Sequence, residues 1–263
     1  MAEMSDLFGL EGCVAFVSGA AGHLGRAMTD VLCDAGAHVI LNGRDDAKLA
    51  AYESELLGKG HSVERVVFDV ADVADSAAVR AFFSKLPRLD VLVNNAISMT
   101  PKPFAALEPA DFEKTYASSV TAAFESVRAA RPALTASGHA SVINIASMYG
   151  SVSPDARIYA KPEQASPFHY GPAKAALIQL TRHLAAELGP QNIRVNALVP
   201  GPFPRDSVAK DDPEFAKRLA AKTMLGRTGQ AGEIAGPLLF LASKASSFVT
   251  GAAIAVDGGW TAW

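Results

Sequence analysis

The feature that most restricts the fold of this chain is a regular exchange of two patterns. A short run of consecutive apolar residues is followed by a longer stretch with apolar residues at helical spacing, and the pair recurs along the chain. Runs at 13–19, 38–44, 63–70, 90–96, 141–147, 193–201 and 252–259 read as strands. Stretches at 24–36, 46–60, 76–86, 109–132 and 170–188 read as helices. Continuous apolar runs belong to strands covered on both faces, as in a parallel sheet. Parallel neighbours need a crossover, and a helix supplies it. The expectation is an α/β fold, a doubly wound parallel sheet with helices on both faces. No linker-like or low-complexity tract interrupts the pattern, so residues 1–263 are read as a single domain.

Composition narrows the partners. Hydrophobic residues make up 49% of the chain, ample for a core of this size. A formal net charge of -3 gives no basic surface for nucleic acid or an anionic membrane. Cys13 and Cys33 are the only cysteines, too few for a disulfide framework and not in a metal-ligand spacing, so no metal is expected. No apolar stretch approaches a membrane span. The first residues, MAEMSDLFGLEG, carry acids where a signal peptide is basic. A cytoplasmic location is the expectation.

In a sheet of this kind ligands bind at the carboxyl ends of the strands. The first strand ends in SGAAGHLG (18–25), with glycines at 19, 22 and 25. They permit a tight turn into a helix whose N-terminal N–H groups and dipole suit a diphosphate. The second strand ends in Asn42, Gly43 and Arg44. An acid there would bond a ribose 2′-hydroxyl, whereas an arginine takes a 2′-phosphate in a forked pair, so NADP(H) is favoured over NAD(H). Asp69 and Val70 end the third strand, and Asn94, Asn95 and Ala96 the fourth, where polar and small residues fit a nucleoside edge. Ser147 ends the fifth strand, and Pro200 and Gly201 the sixth.

HYGPAK (169–174) opens the helix that follows Ser147. Residues four apart share a helix face, which sets the phenol of Tyr170 beside the ammonium of Lys174. Pro172 is tolerated because it falls in the first turn. A serine, a tyrosine, a lysine and a glycine-rich loop thus converge on one sheet edge. A phenol near pKa ~10 is a weak base at neutral pH, and a neighbouring ammonium favours its ionised form.

With these motifs in place the sequence resembles a short-chain dehydrogenase/reductase of the classical type, from about Leu7 to the C-terminus. SGAAGHLG stands where that family has Thr-Gly-x-x-x-Gly-x-Gly, with Ser18, Gly19 and Gly25 in place and His23 at the middle glycine. NNAI (94–97) stands for Asn-Asn-Ala-Gly, VPG (199–201) for the Pro-Gly turn and VDGGW (256–260) for the C-terminal strand and turn. The resemblance implies a Rossmann-type domain that moves hydride between a nicotinamide and a carbonyl or alcohol substrate. It implies Ser147, Tyr170 and Lys174 as catalytic residues. Tyr170 is the general acid or base, Ser147 bonds the oxyanion, and Lys174 tunes Tyr170 and binds ribose. It further implies a cofactor surface of Gly19, His23, Leu24, Gly25, Arg44, Asp69, Val70, Asn95, Ala96, Tyr170, Lys174, Pro200, Gly201 and Phe203. A homo-oligomer, tetramer or dimer, is implied as well.

Besides His23 and Ile97, three further features depart from the family. Ser119 stands at the usual asparagine of the long helix, and Arg205 near the threonine that often follows Pro-Gly. Residues 148–169, between Ser147 and Tyr170, form a longer segment than is typical. Anchored at the site by both ends, it is expected to cover the substrate with groups such as Tyr149, Arg157, Tyr159, Lys161, Glu163, Gln164 and His169. A sugar acid, polyol or other polar carbonyl compound is therefore the favoured substrate. A 3-oxoacyl thioester, a steroid-like or aromatic ketone, a dehydratase or epimerase reaction, and a non-catalytic dinucleotide sensor are the alternatives.

Overall fold

The structure is a computed structural model and describes residues 3–70, 76–160 and 165–263. Lys161, Glu163 and Gln164, three of the groups expected over the substrate, lie outside the described residues. Seven strands form one parallel sheet in the order β3-β2-β1-β4-β5-β6-β7. They are β1 (Val14–Ser18), β2 (His38–Gly43), β3 (Val63–Val67), β4 (Val91–Asn94), β5 (Ser141–Ile145), β6 (Arg194–Pro200) and β7 (Ala253–Val256). The helices are α1 (Met4–Phe8), α2 (His23–Asp34), α3 (Asp46–Gly58), α4 (Ser76–Phe83), α5 (Pro109–Tyr116), α6 (Ala122–Ser137), α7 (Tyr170–Leu188), α8 (Asp206–Asp211), α9 (Pro213–Ala220) and α10 (Ala235–Ala242).

The twofold period of the strands sorts their side chains into two cores. Val17, Leu41 and Val93 point to one face, where Met28 and Leu32 of α2, Tyr52 of α3 and Leu238 and Leu241 of α10 cover them. Phe16, Ile40 and Leu92 point to the other, under Phe83 of α4, Val127 and Leu134 of α6 and Leu184 of α7. Both faces are dry, which is why the strands read as unbroken apolar runs. The strand order reverses between β1 and β4. Chains leave these two neighbours in opposite directions and open the crevice in which such sheets bind ligands.

Two regions differ from expectation. The long helix does not stop at Pro132. It passes through a π-helical stretch at Ala117–Thr121 and continues to Ser137, closed by Gly138 at a φ of 77°. Burial of Ala130, Ala133 and Leu134 against the sheet offsets the hydrogen bond that Pro132 cannot make. Between β6 and β7, where no helix was expected, lie α8, α9 and α10. The first two are short, six and eight residues, and α10 is apolar all round, so it has no polar face to mark its period.

Candidate active site

The glycine loop is built by exclusion. Gly19 has a φ of 66°, in the left-handed region where side chains are strained. A Cβ on Gly25 would sit 2.0 Å from the carbonyl oxygen of Gly19, so no other residue fits. The end of β1 is then knitted to the end of β4. Asn95 N–H and Ala96 N–H donate to Ser18 Oγ at 2.9 and 3.0 Å, and Ser18 Oγ donates to the Val93 carbonyl at 3.2 Å. Asn95 Nδ2 donates to the carbonyls of Ser18 and Gly19 at 2.9 and 3.3 Å. Asn95 therefore frames the crevice with its amide rather than offering it outward. Ser18 is a hub that its place in the motif did not disclose. His23 is the first residue of α2, and its Nε2 is buried with no hydrogen-bond partner among the described residues. A tight left-handed turn, an open helix N-terminus and an unpaired ring nitrogen fit the diphosphate of a dinucleotide.

A cavity of about 550 Å³ joins this loop to the end of β2, lined by Gly19, Gly22, His23, Arg44, Lys48 and Arg205 among others. Arg44 is 71% exposed at its side chain and lies 3.8 Å from Asp69, close enough for a loose ion pair and free to turn toward a phosphate. Asn42 is committed to the fold. Its Nδ2 donates to the carbonyls of Val66 and Phe68 at 3.3 and 3.0 Å, which holds Asp69 and Val70 at the sheet edge.

Beyond β5 the chain turns at Met148–Gly150, with Ser147 Oγ accepting from Tyr149 N–H at 3.2 Å. Tyr170 is the first residue of α7, with the Ser147 side chain near enough to its phenol to favour the ionised form. The glycine after Tyr170 has a steric cause. A Cβ on Gly171 would lie 2.8 Å from the Tyr149 carbonyl, and one on Gly150 would lie 2.8 Å from the backbone of Lys174. Two glycines thus let the Ser147 turn sit directly on the first turn of α7. Lys174 is 4% exposed, and its Nζ donates to the Ile145 carbonyl at 2.6 Å. Burial pulls its pKa down to about 8. Its Nζ stands 5.7 Å from the centre of the Tyr170 ring.

One electrostatic expectation changes. Burial pushes the Tyr170 phenol above its ordinary pKa, and the opposing influence is the Ser147 side chain, not the Lys174 ammonium. Lys174 is itself desolvated and turned onto a backbone carbonyl, which weakens its pull on the phenol.

Of two further neighbours of the trio, His169 has a different part from the one expected, and Ser119 stands out already in the sequence. His169, buried directly before Tyr170, shares a 3.0 Å hydrogen bond between Nδ1 and Thr115 Oγ1, and its Nε2 lies 3.3 Å from the Thr100 carbonyl. It braces the start of α7 against α5 and the loop after β4. Ser119 sits in the π-helical stretch beside α7, its Oγ buried and unpartnered among the described residues.

Gly201 lies where a Cβ would be 2.5 Å from the backbone of Asp257, and its N–H donates to the Val256 carbonyl at 3.0 Å. Pro200 and Gly201 are thereby held against the turn after β7, and Phe203 packs its ring over Gly229. The described part of 148–169 is no solvated excursion. Met148 and Ile158 share a small core with Leu219 and Trp260. Arg218 Nε donates to the Ile158 carbonyl at 2.6 Å, and Lys222 pairs with Asp155 at 2.7 Å. The segment is fastened to α9 and the C-terminal turn.

Far from this edge, Cys13, Asp90 and His139 bring potential metal ligands within 4.8 Å of one another. Asp90 is already occupied by Val14 N–H, Arg88 and Ser137 at 2.8, 2.8 and 2.6 Å, so the group reads as a strand-end brace.

Known proteins resemble this chain along nearly its whole length. The family model described as Enoyl-(Acyl carrier protein) reductase matches residues 19–261. Galactitol 2-dehydrogenase (L-tagatose-forming) of Cereibacter sphaeroides is 36% identical over 98% of this chain and 98% of its own length. The 3-oxoacyl-[acyl-carrier-protein] reductase of Thermotoga maritima is 33% identical over 95% of this chain and 98% of its own. The crystal structure of a gluconate 5-dehydrogenase from Burkholderia cenocepacia in complex with NADP and tartrate superposes with a TM-score of 0.86. It is 32% identical and covers 99% of this chain and 100% of that one.

Proposed function

This chain belongs to the short-chain dehydrogenase/reductase family, and from that premise we propose that it interconverts a secondary alcohol and a ketone with NADP(H) on a polyol or sugar acid. The observation that carries the reaction is the gathering of Ser147, Tyr170 and Lys174 at the end of β5, with Lys174 Nζ 5.7 Å from the Tyr170 ring centre, on the same sheet edge as the glycine loop. The substrate class is supported by the galactitol and gluconate dehydrogenases among the relatives.

The residues present fit the cofactor. The glycine loop and the start of α2 would hold its diphosphate and Arg44 its 2′-phosphate. Asp69, Val70, Asn95 and Ala96 would border its adenosine, Lys174 its nicotinamide ribose, and Pro200, Gly201 and Phe203 its nicotinamide. When bound, the nicotinamide supplies or accepts the hydride at the substrate carbon. Tyr170 gives its phenolic proton to the carbonyl oxygen in reduction and takes it back from the hydroxyl in oxidation. Ser147 donates a hydrogen bond to the oxygen as it gains charge and fixes the phenol in position. Lys174, anchored by the Ile145 carbonyl, holds a cation 5.7 Å from the centre of the phenol ring and would bond the nicotinamide ribose.

The test is nicotinamide absorbance with the purified protein against galactitol, gluconate, their ketones and an acetoacetyl thioester. Turnover of the sugar compounds above the thioester supports the reading. Preference for the thioester would favour the second reading, a 3-oxoacyl thioester reductase, which rests on the Thermotoga maritima relative. No turnover despite cofactor binding would point to a dinucleotide sensor.

Arg44→Asp is expected to shift kcat/KM from NADPH toward NADH by about 10- to 100-fold. A charge-assisted pair to phosphate contributes roughly 1.5–3 kcal/mol, and an aspartate repels the same group. Steady-state kinetics with both cofactors checks this, and a wild type that already prefers NADH would overturn it.

The proposed assembly is a homodimer or tetramer. Phe112 and Tyr116, four apart on α5, are both exposed, as is Phe124 on α6. A monomeric mass by light scattering would remove this part of the proposal. The proposed location is the cytoplasm. Among the described residues no helix is long and apolar enough to cross a membrane.

A further inference from the structure

The cavity beside the glycine loop has four cationic residues on its wall, Arg26, Arg44, Lys48 and Arg205. Three have acidic partners. Arg26 pairs with Glu55 and lies 3.9 Å above the Tyr52 ring, Lys48 pairs with Asp45 at 3.2 Å, and Arg44 lies 3.8 Å from Asp69. Arg205 has no side-chain hydrogen bond or ion pair among the described residues. It is the N-cap residue of α8, in a distant part of the sequence from the other three.

A second cavity also has Arg205 on its wall. It runs along the whole of α2 and is lined by His23, Arg26, Asp30, Asp34, Arg205 and Gly229 among others, but not by Arg44 or Lys48. Arg205, His23 and Arg26 thus line both cavities, whereas Arg44 and Lys48 line only the first, so Arg205 shares each of its walls with the start of α2. His23 opens α2, where free N–H groups and the helix dipole favour an anion, and its buried Nε2 lacks a partner. An unpaired guanidinium and an unpaired imidazole nitrogen thus share the wall next to a helix N-terminus.

We propose that Arg205 and His23 together bind the bridging diphosphate of the dinucleotide. This deepens the proposed cofactor site and rests on it. The guanidinium donates to phosphate oxygens as a planar fork, and His23 donates through Nε2. The contact also has a mechanical consequence. Arg205 follows Pro200, Gly201 and Phe203 and begins α8, so a diphosphate held by it draws this segment onto the cofactor. The neighbouring α9 carries the 148–160 segment through Arg218 and Leu219. Cofactor binding would thereby steady the wall on the substrate side.

The experiment is a fluorescence titration of wild type, Arg205→Ala, Arg205→Lys and His23→Ala with NADPH and with NADH. Arg205 is exposed and His23 only half-buried, so the variants should fold, and circular dichroism checks that they do. Arg205→Ala is expected to weaken both dinucleotides by a similar factor of about tenfold, since both carry the diphosphate. Arg205→Lys should recover most of the loss and His23→Ala reproduce part of it. Inorganic pyrophosphate should compete with NADPH on wild type and lose most of that potency on Arg205→Ala. NADPH should protect the α8–α9 region from limited proteolysis in wild type but not in Arg205→Ala. A loss confined to NADPH would put Arg205 on the 2′-phosphate and overturn the proposal. Unchanged dissociation constants with a raised KM for an acidic substrate would also overturn it and place the arginine in the substrate pocket. A wild type that binds neither dinucleotide would overturn this proposal and the proposed function together.

Discussion

Tyr170→Phe is expected to lower kcat by about 10³-fold and to leave the dissociation constant for NADPH within about twofold of wild type. The substitution removes one oxygen and keeps the ring, so the first turn of α7 and its seat on the Ser147 turn persist. What disappears is the one proton that sits between Ser147 and the substrate oxygen. A positioned general acid or base contributes typically 10²- to 10⁴-fold, which sets the scale. Stability changes little by comparison, because a lost hydrogen bond of about 1 kcal/mol is partly offset by relief of a buried polar group. The pH profile gives an independent signature. Burial raises the pKa of Tyr170, so the phenol is protonated at neutral pH and ready to donate to a ketone. Alcohol oxidation needs the phenolate, so its rate should climb as pH rises toward the alkaline range, while ketone reduction should not. Steady-state rates in both directions across pH check this. Turnover of the variant within a few-fold of wild type would show that the proton comes from elsewhere.

The legibility of this chain follows the range of the forces involved. Each strand of the sheet is a local apolar run, and its covering on both faces is written in the lack of alternation. The α/β architecture and the strand ends could therefore be read residue by residue. Helix starts with a steric signature were equally plain, and α7 begins at Tyr170 as its Pro172 predicts. What local pattern could not give was set by distant neighbours. The helix crosses Pro132 because Leu134 has a core to enter. Apolar α10 has no polar face to mark its period. His169 looked like one more polar group of a covering segment, yet Thr115 and the Thr100 carbonyl draw it into the brace behind Tyr170. Asn95 reads as a nucleoside contact, and nothing in the sequence signals that its amide also joins the β1 and β4 ends. The 148–160 stretch reads as a loop because its partners, Leu219, Lys222 and Trp260, are some sixty to a hundred residues away in the chain.

The second large effect concerns Lys174, where function and stability should part. Its pKa falls from 10.5 to about 8 because the ammonium is buried, a penalty of roughly 3 kcal/mol on its charged form. Lys174→Met removes that penalty and keeps an unbranched side chain of similar length. It also leaves the Ile145 carbonyl without its donor, which costs about 1–3 kcal/mol. The two terms nearly cancel, so the melting temperature should stay within about 6 °C of wild type. Activity should not survive. With no cation near the phenol or to bond the ribose, kcat/KM is expected to fall by about 10³-fold or more and NADPH binding to weaken by about tenfold. The pH dependence of stability fixes the sign. Below pH 8 the lysine is charged in both folded and unfolded chains and the penalty is complete. Between about 8 and 10.5 only the unfolded chain holds the proton, so wild-type stability rises with pH, and above that range the penalty is gone. Lys174→Met lacks this rise, and its stability relative to wild type should be greatest below pH 8. Chemical denaturation at pH 7 and pH 10, with kinetics on the same samples, tests both halves. A variant that keeps kcat/KM within tenfold would remove Lys174 from the catalytic group. One that loses activity only because it unfolds would show that the buried ammonium is structural.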